Sequence, residues 1–239
     1  MNEIIKMTND LGILTLSAAS LGFIHTVLGP DHYLPFIVMS KARNWSVFKT
    51  GWITVLCGIG HVGSSILLGF IGLSVGFGLS KMEGIESFRG EIAAWLFLLF
   101  GAGYTIWGIN RLYRNKPHQH IHSHSNGSVH LHEHTHLAEH DHGHGRNITP
   151  WVLFTIFVLG PCEVLIPVIM YPAAGGNTWG IVQVTLAFAC ATILTMLTIV
   201  LLASYGLKLF KLGKTERYTH IIAGVTILLS GLAILFLGA

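Results

Sequence analysis

The segment VLGPDHYLPFIVM at residues 27–39 decides the fold of this chain, because a near copy, VLGPCEVLIPVIM, returns at residues 158–170. Adding 131 to each number aligns the two segments with six identical residues in thirteen, among them the Gly-Pro pair. Proline inside a helix removes a backbone N–H and crowds the carbonyl four residues earlier. The repeated Gly-Pro pair therefore predicts two helices that break at corresponding positions.

Composition places the chain among integral membrane proteins. Charged residues account for 10% of its 239 residues and the mean hydropathy is +0.61, whereas ordinary soluble domains carry about 25% charged residues. Each of six apolar stretches reaches the roughly 20 residues that a helix needs to cross a bilayer core. Six transmembrane helices are therefore predicted, at about residues 11–40, 50–79, 90–110, 150–171, 179–205 and 219–238.

The spacing between the copies predicts an internal repeat. The segment LLFGAGYTIWG at residues 98–108 aligns with LLSGLAILFLG at residues 228–238 at an offset of 130, close to that of the Gly-Pro segments. We expect two three-helix repeats, residues 1–113 and 150–239, joined by a loop at residues 114–149. Three crossings are an odd number, so the second repeat must enter the bilayer from the opposite side. The predicted fold is an all-α integral membrane protein with six transmembrane helices in two inverted repeats, in which helices 1 and 4 are broken.

The distribution of basic residues predicts the orientation. Of the fourteen lysines and arginines, all except Lys6, Lys81 and Arg89 fall in the loops between helices 1 and 2, 3 and 4, and 5 and 6. Cytoplasmic loops carry an excess of Lys and Arg. We therefore expect a multi-pass protein of the cytoplasmic (inner) membrane, with both termini outside and these three loops inside. The net charge of +3 reflects this asymmetry, and the sequence contains no nucleic-acid-binding motif.

Polar side chains within the predicted spans indicate a metal site. A carboxylate near the bilayer centre costs roughly 2.5–3.5 kcal/mol, so it usually faces a cavity or a partner. Each copy of the repeated segment places a polar pair directly after Gly-Pro, and further histidines stand in helices 1 and 2. Imidazole, carboxylate and thiolate groups all ligate divalent metals. The predicted metal ligands are His25, Asp31, His32, His61, Cys162 and Glu163.

The loop between the repeats is rich in histidine. Residues 118–144 carry eleven of the fifteen histidines, together with three acidic residues. Neutral imidazole is the commonest protein ligand for transition metals, and so few apolar residues cannot form a packed core. We expect a flexible cytoplasmic tract that binds metal at several sites.

Two motifs resemble a known superfamily. HTVLGPDH at residues 25–32 has the form H-x3-G-x-D-H and resembles the first-helix signature of hydrogenase- and urease-associated nickel permeases. GIGHVGSS at residues 58–65 is similar to the second-helix motif of the nickel/cobalt transporter family, and the layout resembles histidine-loop nickel/cobalt efflux proteins. The resemblance implies transport of Ni²⁺ or Co²⁺, with His25, Asp31, His32 and His61 as the functional positions.

The expected function is transport of a divalent metal ion through the lipid bilayer, with Ni²⁺ or Co²⁺ favoured and Zn²⁺ also compatible. No permanent cofactor and no enzymatic activity are expected, and the direction of transport and a homo-oligomeric state stay open. One alternative is a membrane thiol-disulfide relay protein, for which GPCE would supply one cysteine while Asp31 stands at the matching position. Another is a metal-sensing or metal-buffering membrane protein, which needs the histidine loop but not the broken helices.

Overall fold

The architecture is mostly helical. The structure is a computed structural model that describes residues 2–114, 118–123, 129–134, 148–209 and 213–237. The helices are α1 (Asn2–Leu28), α2 (Leu34–Ala42), α3 (Val47–Val75), α4 (Leu79–Arg114), α5 (Thr149–Leu159), α6 (Leu165–Ala174), α7 (Thr178–Leu209) and α8 (Thr219–Leu237). Within the described residues, five helices are long and apolar enough to cross a membrane, namely α1, α3, α4, α7 and α8. The chain is therefore a multi-pass membrane protein, as its composition predicts.

The histidine-rich segment contains two short strands. β1 (His118–Ser123) and β2 (Val129–His134) pair in antiparallel register, so that His118 lies opposite His134 and His122 opposite His130. The described part of this tract is thus more regular than its composition indicates. The remainder of the predicted 114–149 loop is largely outside the described residues.

Two helices break at the Gly-Pro pairs. α1 ends at Leu28, a single 3-10 turn covers Pro30–His32, and α2 begins two residues later. In the second half of the chain, α5 ends at Leu159 and α6 does not begin until Leu165. Gly29 and Gly160 both have extended backbone, with ψ of 91° and 138° respectively. Proline therefore interrupts the helix at both sites predicted from the sequence.

The short helices beside the breaks are held by long helices from the other half of the chain. α2 packs against α7 and α8, whereas α5 packs against α3 and α4. One buried apolar cluster surrounds α2 and α5 and includes Phe36 and Phe157. A second cluster surrounds α6 and the middle of α7 and includes Cys162 and Phe188. The two Gly-Pro breaks lie where these clusters meet.

The loop predicted between helices 2 and 3 is almost absent, which corrects one expectation. α3 ends at Val75 and is capped by Gly76, whose φ of 75° favours glycine, and α4 begins only three residues later, at Leu79. Lys81 and Arg89 therefore belong to α4 rather than to a loop, and Glu86 is fully buried. The charges of this segment make it hydrophilic and so predict a loop, but two of them, Glu86 and Arg89, form an ion pair within α4.

Close backbone contact joins α4 to α8. A Cβ atom added to Gly101 would overlap the backbone of Leu228, and one added to Gly231 would lie 2.9 Å from the Ala94 carbonyl oxygen. Small residues allow helices to approach closely where lipid supplies no hydrophobic driving force for their association. α4 and α8 are therefore tightly packed against each other.

Replacing Gly101 with alanine should destabilise the protein by about 1–3 kcal/mol, because the added methyl group forces α4 away from α8. Gly103→Ala is the matched control on the same helix, since no atom lies within 4 Å of its added Cβ. Thermal unfolding in detergent would measure the difference. Equal stability of the two variants would contradict close packing at this contact.

Candidate metal site

Three histidines from separate segments converge beside the first break. His25 occupies the last turn of α1, His32 the 3-10 turn, and His61 the middle of α3. The ring centroids of His25 and His32 are 4.7 Å apart, and those of His32 and His61 are 4.9 Å apart. The Nε2 atoms of His32 and His61 approach to 3.3 Å. The break thus brings residues that are far apart in sequence into one buried cluster.

Cys162 joins the histidines from the second break. Its thiol is fully buried, and the Sγ atom lies 3.9 Å from Nε2 of His25. Ligand atoms of His25, His61 and Cys162 all lie within 4.8 Å of one another. The second Gly-Pro break therefore contributes a sulfur ligand to the cluster that the first break assembles.

The separations suit a transition-metal ion. Metal–nitrogen bonds of about 2.0–2.1 Å and metal–sulfur bonds of about 2.3 Å place tetrahedral ligand atoms roughly 3.3–3.7 Å apart. The 3.3 Å contact between the His32 and His61 nitrogens and the 3.9 Å contact to Cys162 fall at or near this range. Imidazole with thiolate favours Zn²⁺, Co²⁺, Ni²⁺ or copper over Mg²⁺ and Mn²⁺.

Surroundings on the Nδ1 side of two rings direct their Nε2 atoms into the cluster. Nδ1 of His32 lies 3.1 Å from the Gly29 carbonyl oxygen and 3.2 Å from Oδ1 of Asp31. Nδ1 of His61 faces the second break, where a Cβ added to Gly160 would lie 3.2 Å from it. When Nδ1 carries the proton, Nε2 offers its lone pair, which is the tautomer that ligates a metal. Two such lone pairs facing each other repel, and a cation between them removes that repulsion.

The predicted ligands therefore fall into two groups. His25, His32, His61 and Cys162 form the cluster, whereas Asp31 contacts it through His32. A carboxylate in that position orients a ligating imidazole and raises its basicity. Glu163 is exposed and lies on the wall of an adjoining cavity of about 660 Å³, which is also lined by His25, Asp31, His32 and Glu91.

Two charged residues that contact the site were not identified from the sequence, and of these Glu86 is fully buried and Arg89 partly buried. Glu86 and Arg89 on α4 form an ion pair whose carboxylate is fully buried. The only signal in the sequence was an oppositely charged pair spaced i, i+3 at the edge of a hydrophobic stretch. Both residues contact the second break, and their role is developed below.

Searches against models of protein families, curated proteins and solved structures found no match. Assignment of a function therefore depends on the chemistry of the cluster.

Cys162→Ser should remove the thiolate ligand and, with it, the near-ultraviolet charge-transfer absorption that thiolate gives to bound Co²⁺. Cobalt affinity should also fall, because three imidazoles remain but the anionic ligand is lost. Titration of the purified protein with Co²⁺ would measure both effects. Cys190→Ser is the control, since that cysteine is exposed and all three cysteines are free of disulfides. Loss of the absorption in the control but not in Cys162→Ser would place the sulfur ligand elsewhere.

Proposed function

We propose that the protein transports a divalent transition-metal ion, Ni²⁺ or Co²⁺ with Zn²⁺ as a further candidate, across the membrane. The observation that carries the proposal is a convergence of three segments: His25 and His32 come from the first broken helix, Cys162 from the second, and His61 from the continuous helix α3. Ionisable side chains buried among membrane-spanning helices usually mark an ion pathway. Broken helices at that depth are tolerated where they line a cavity or are buried in protein.

The packing of the helices supports an inverted repeat. In this proposal α1 with α2 makes the first of six crossings and α5 with α6 makes the fourth, so that the first four helices correspond in order to the last four. Contacts then occur in matching pairs: α1 with α7 corresponds to α5 with α3, and α2 with α8 corresponds to α6 with α4. Inverted repeats place the substrate site at their interface, near the middle of the bilayer.

The proposed topology places both termini on one side and the three basic loops in the cytoplasm. Lys41 and Arg43 follow the first break, Arg111 and Arg114 end α4, and Lys208 ends α7. In this arrangement α2 and α5 are the two half-helices on the cytoplasmic side of the cluster. A metal that moves between the cluster and the cytoplasm must pass between them.

A pair of aromatic rings closes that route. Phe36 on α2 and Phe157 on α5 are both buried, with ring centroids 4.6 Å apart, and Phe97 packs against Phe157 at 6.1 Å. The His61 ring contacts Phe157 on the side of the cluster, at 6.3 Å. Alternating access would therefore require Phe36 and Phe157 to separate. The cavity that reaches His25 and Asp31 would provide access from the opposite side.

Asp31→Asn should reduce metal flux by about 10-fold or more, because the amide no longer fixes the charge and tautomer of His32. The measurement is metal-by-metal flux in sealed vesicles of known orientation. Asp10→Asn is the control, since Asp10 is an exposed residue of α1. Wild-type flux in Asp31→Asn would remove this carboxylate from the mechanism.

Deleting residues 118–144 separates transport from metal buffering. A transporter should retain flux with altered metal affinity or regulation, because the cluster lies in the helices. A buffering or sensing protein should lose its function along with the eleven histidines.

Phe157→Leu should raise the passive flux of metal down its gradient, because a smaller side chain leaves a gap opposite Phe36. Phe236→Leu is the control, since Phe236 is 80% exposed. Ion-selective dye fluorescence in metal-loaded vesicles would report the rate. An unchanged rate in Phe157→Leu, with normal protein levels, would exclude this aromatic pair as the barrier.

A further inference from the structure

The second Gly-Pro break leaves backbone groups that α4 satisfies with charged side chains. The Nη2 atom of Arg89 donates to the Val158 carbonyl oxygen at 2.8 Å and to the Gly160 carbonyl oxygen at 3.3 Å. Oε2 of Glu86 accepts from the Cys162 N–H at 3.0 Å. An ion pair on a neighbouring helix therefore fixes the backbone on both sides of Pro161.

The same ion pair also holds the helix that carries His61. Arg89 donates to the Ser64 hydroxyl at 2.7 Å, and the Ser65 hydroxyl donates to Oε2 of Glu86 at 3.2 Å. Ser64 in turn donates to the His61 carbonyl oxygen at 2.9 Å. The network thus sets the position of Cys162 relative to His61, which are two members of the metal cluster.

The first break has a different construction. Its carbonyl groups are bonded within the segment itself, since His32 contacts Gly29 and the Tyr33 hydroxyl donates to Val27 at 3.3 Å. The histidine ligands therefore have their own support. Loss of the ion pair should act on Cys162 more strongly than on His25 or His32.

Stability alone does not account for a buried ion pair. Replacing such a pair with apolar residues of similar volume is often neutral or stabilising, because desolvation offsets much of the electrostatic attraction. What apolar residues cannot provide is a set of hydrogen bonds that fixes the break in one geometry. A thiolate ligand needs that geometry, since its sulfur must lie within bonding distance of a metal already bound by imidazoles.

We propose that Glu86 and Arg89 are positioning residues that hold Cys162 as a metal ligand and so give the site its preference for thiophilic divalent ions. This inference rests on the proposed metal-transport function and specifies its selectivity. Without the ion pair, the histidines would still bind metal, but the Cys162 sulfur would no longer be held as a ligand. The preference for Co²⁺ and Zn²⁺ over Mn²⁺ would then decrease.

The decisive variant is Glu86→Asp, which keeps a negative charge beside Arg89 but is one methylene too short to reach the Cys162 N–H. We expect Co²⁺ to bind about 10-fold more weakly, with most of the thiolate-to-cobalt absorption lost. The ratio of Co²⁺ to Mn²⁺ affinity should fall as well. Glu83→Asp, one turn earlier and exposed, should match the wild type. Wild-type absorption and affinity in Glu86→Asp would overturn the proposal.

Two further results separate this inference from the proposed function. If the wild type binds Co²⁺ without thiolate absorption, the positioning role is wrong while a histidine metal site remains. If the wild type binds no divalent metal, the proposed function fails too. Should Glu86→Asp not fold, Arg89→Lys tests the same geometry, because a single ammonium cannot reproduce the fork of contacts to two carbonyls and two serines. Failure of both variants to fold would make the pair a folding element and reject the positioning role.

Discussion

The structure depends on a constraint that lipid imposes on a broken backbone. Within the bilayer core no water is available for the carbonyl and N–H groups that a proline releases, so protein must supply their partners. Both Gly-Pro segments meet this requirement, but with different groups. The first break uses His32 and Tyr33 from its own segment, whereas the second uses Glu86 and Arg89 from α4.

The breaks also help to bring the candidate metal ligands together. His32 lies in the 3-10 turn of the first break and Cys162 directly follows Pro161 of the second, whereas His25 and His61 belong to the continuous helices α1 and α3. The backbone is extended at Gly29 and Gly160, and His32 and Cys162 beyond these glycines are buried, whereas Glu163 is exposed. Gly160 also permits a close approach, since an added Cβ would lie 3.2 Å from Nδ1 of His61.

The sequence predicted the features that local rules govern. Two Gly-Pro pairs were enough to predict both breaks. Side chains near them indicated three members of the cluster, and a histidine within the second apolar stretch indicated the fourth, His61. The roles of Asp31 and Glu163 were beyond such rules, because the rotation of a residue after a break depends on tertiary packing. Glu86 and Arg89 fall in the loop predicted between residues 79 and 90, because a hydropathy scale treats each charge as hydrophilic and takes no account of the ion pair between them. Pairing of β1 with β2 was equally hidden, because a histidine-rich tract has no apolar alternation to signal strands.

In the proposed transport function, a ligand set drawn from both halves of the chain would have a mechanical consequence. If all the ligands belonged to one half, that half could move as a rigid body without any change in metal affinity. Here His25, His32 and His61 come from the first half and Cys162 from the second, so relative movement of the halves alters the distances around the metal. A ligand can shift a conformational equilibrium of the protein only as far as its affinities for the two states differ. In the proposed transporter a site shared by the two halves would provide that differential affinity, because separating Cys162 from the histidines would weaken metal binding as the route past Phe36 and Phe157 opens.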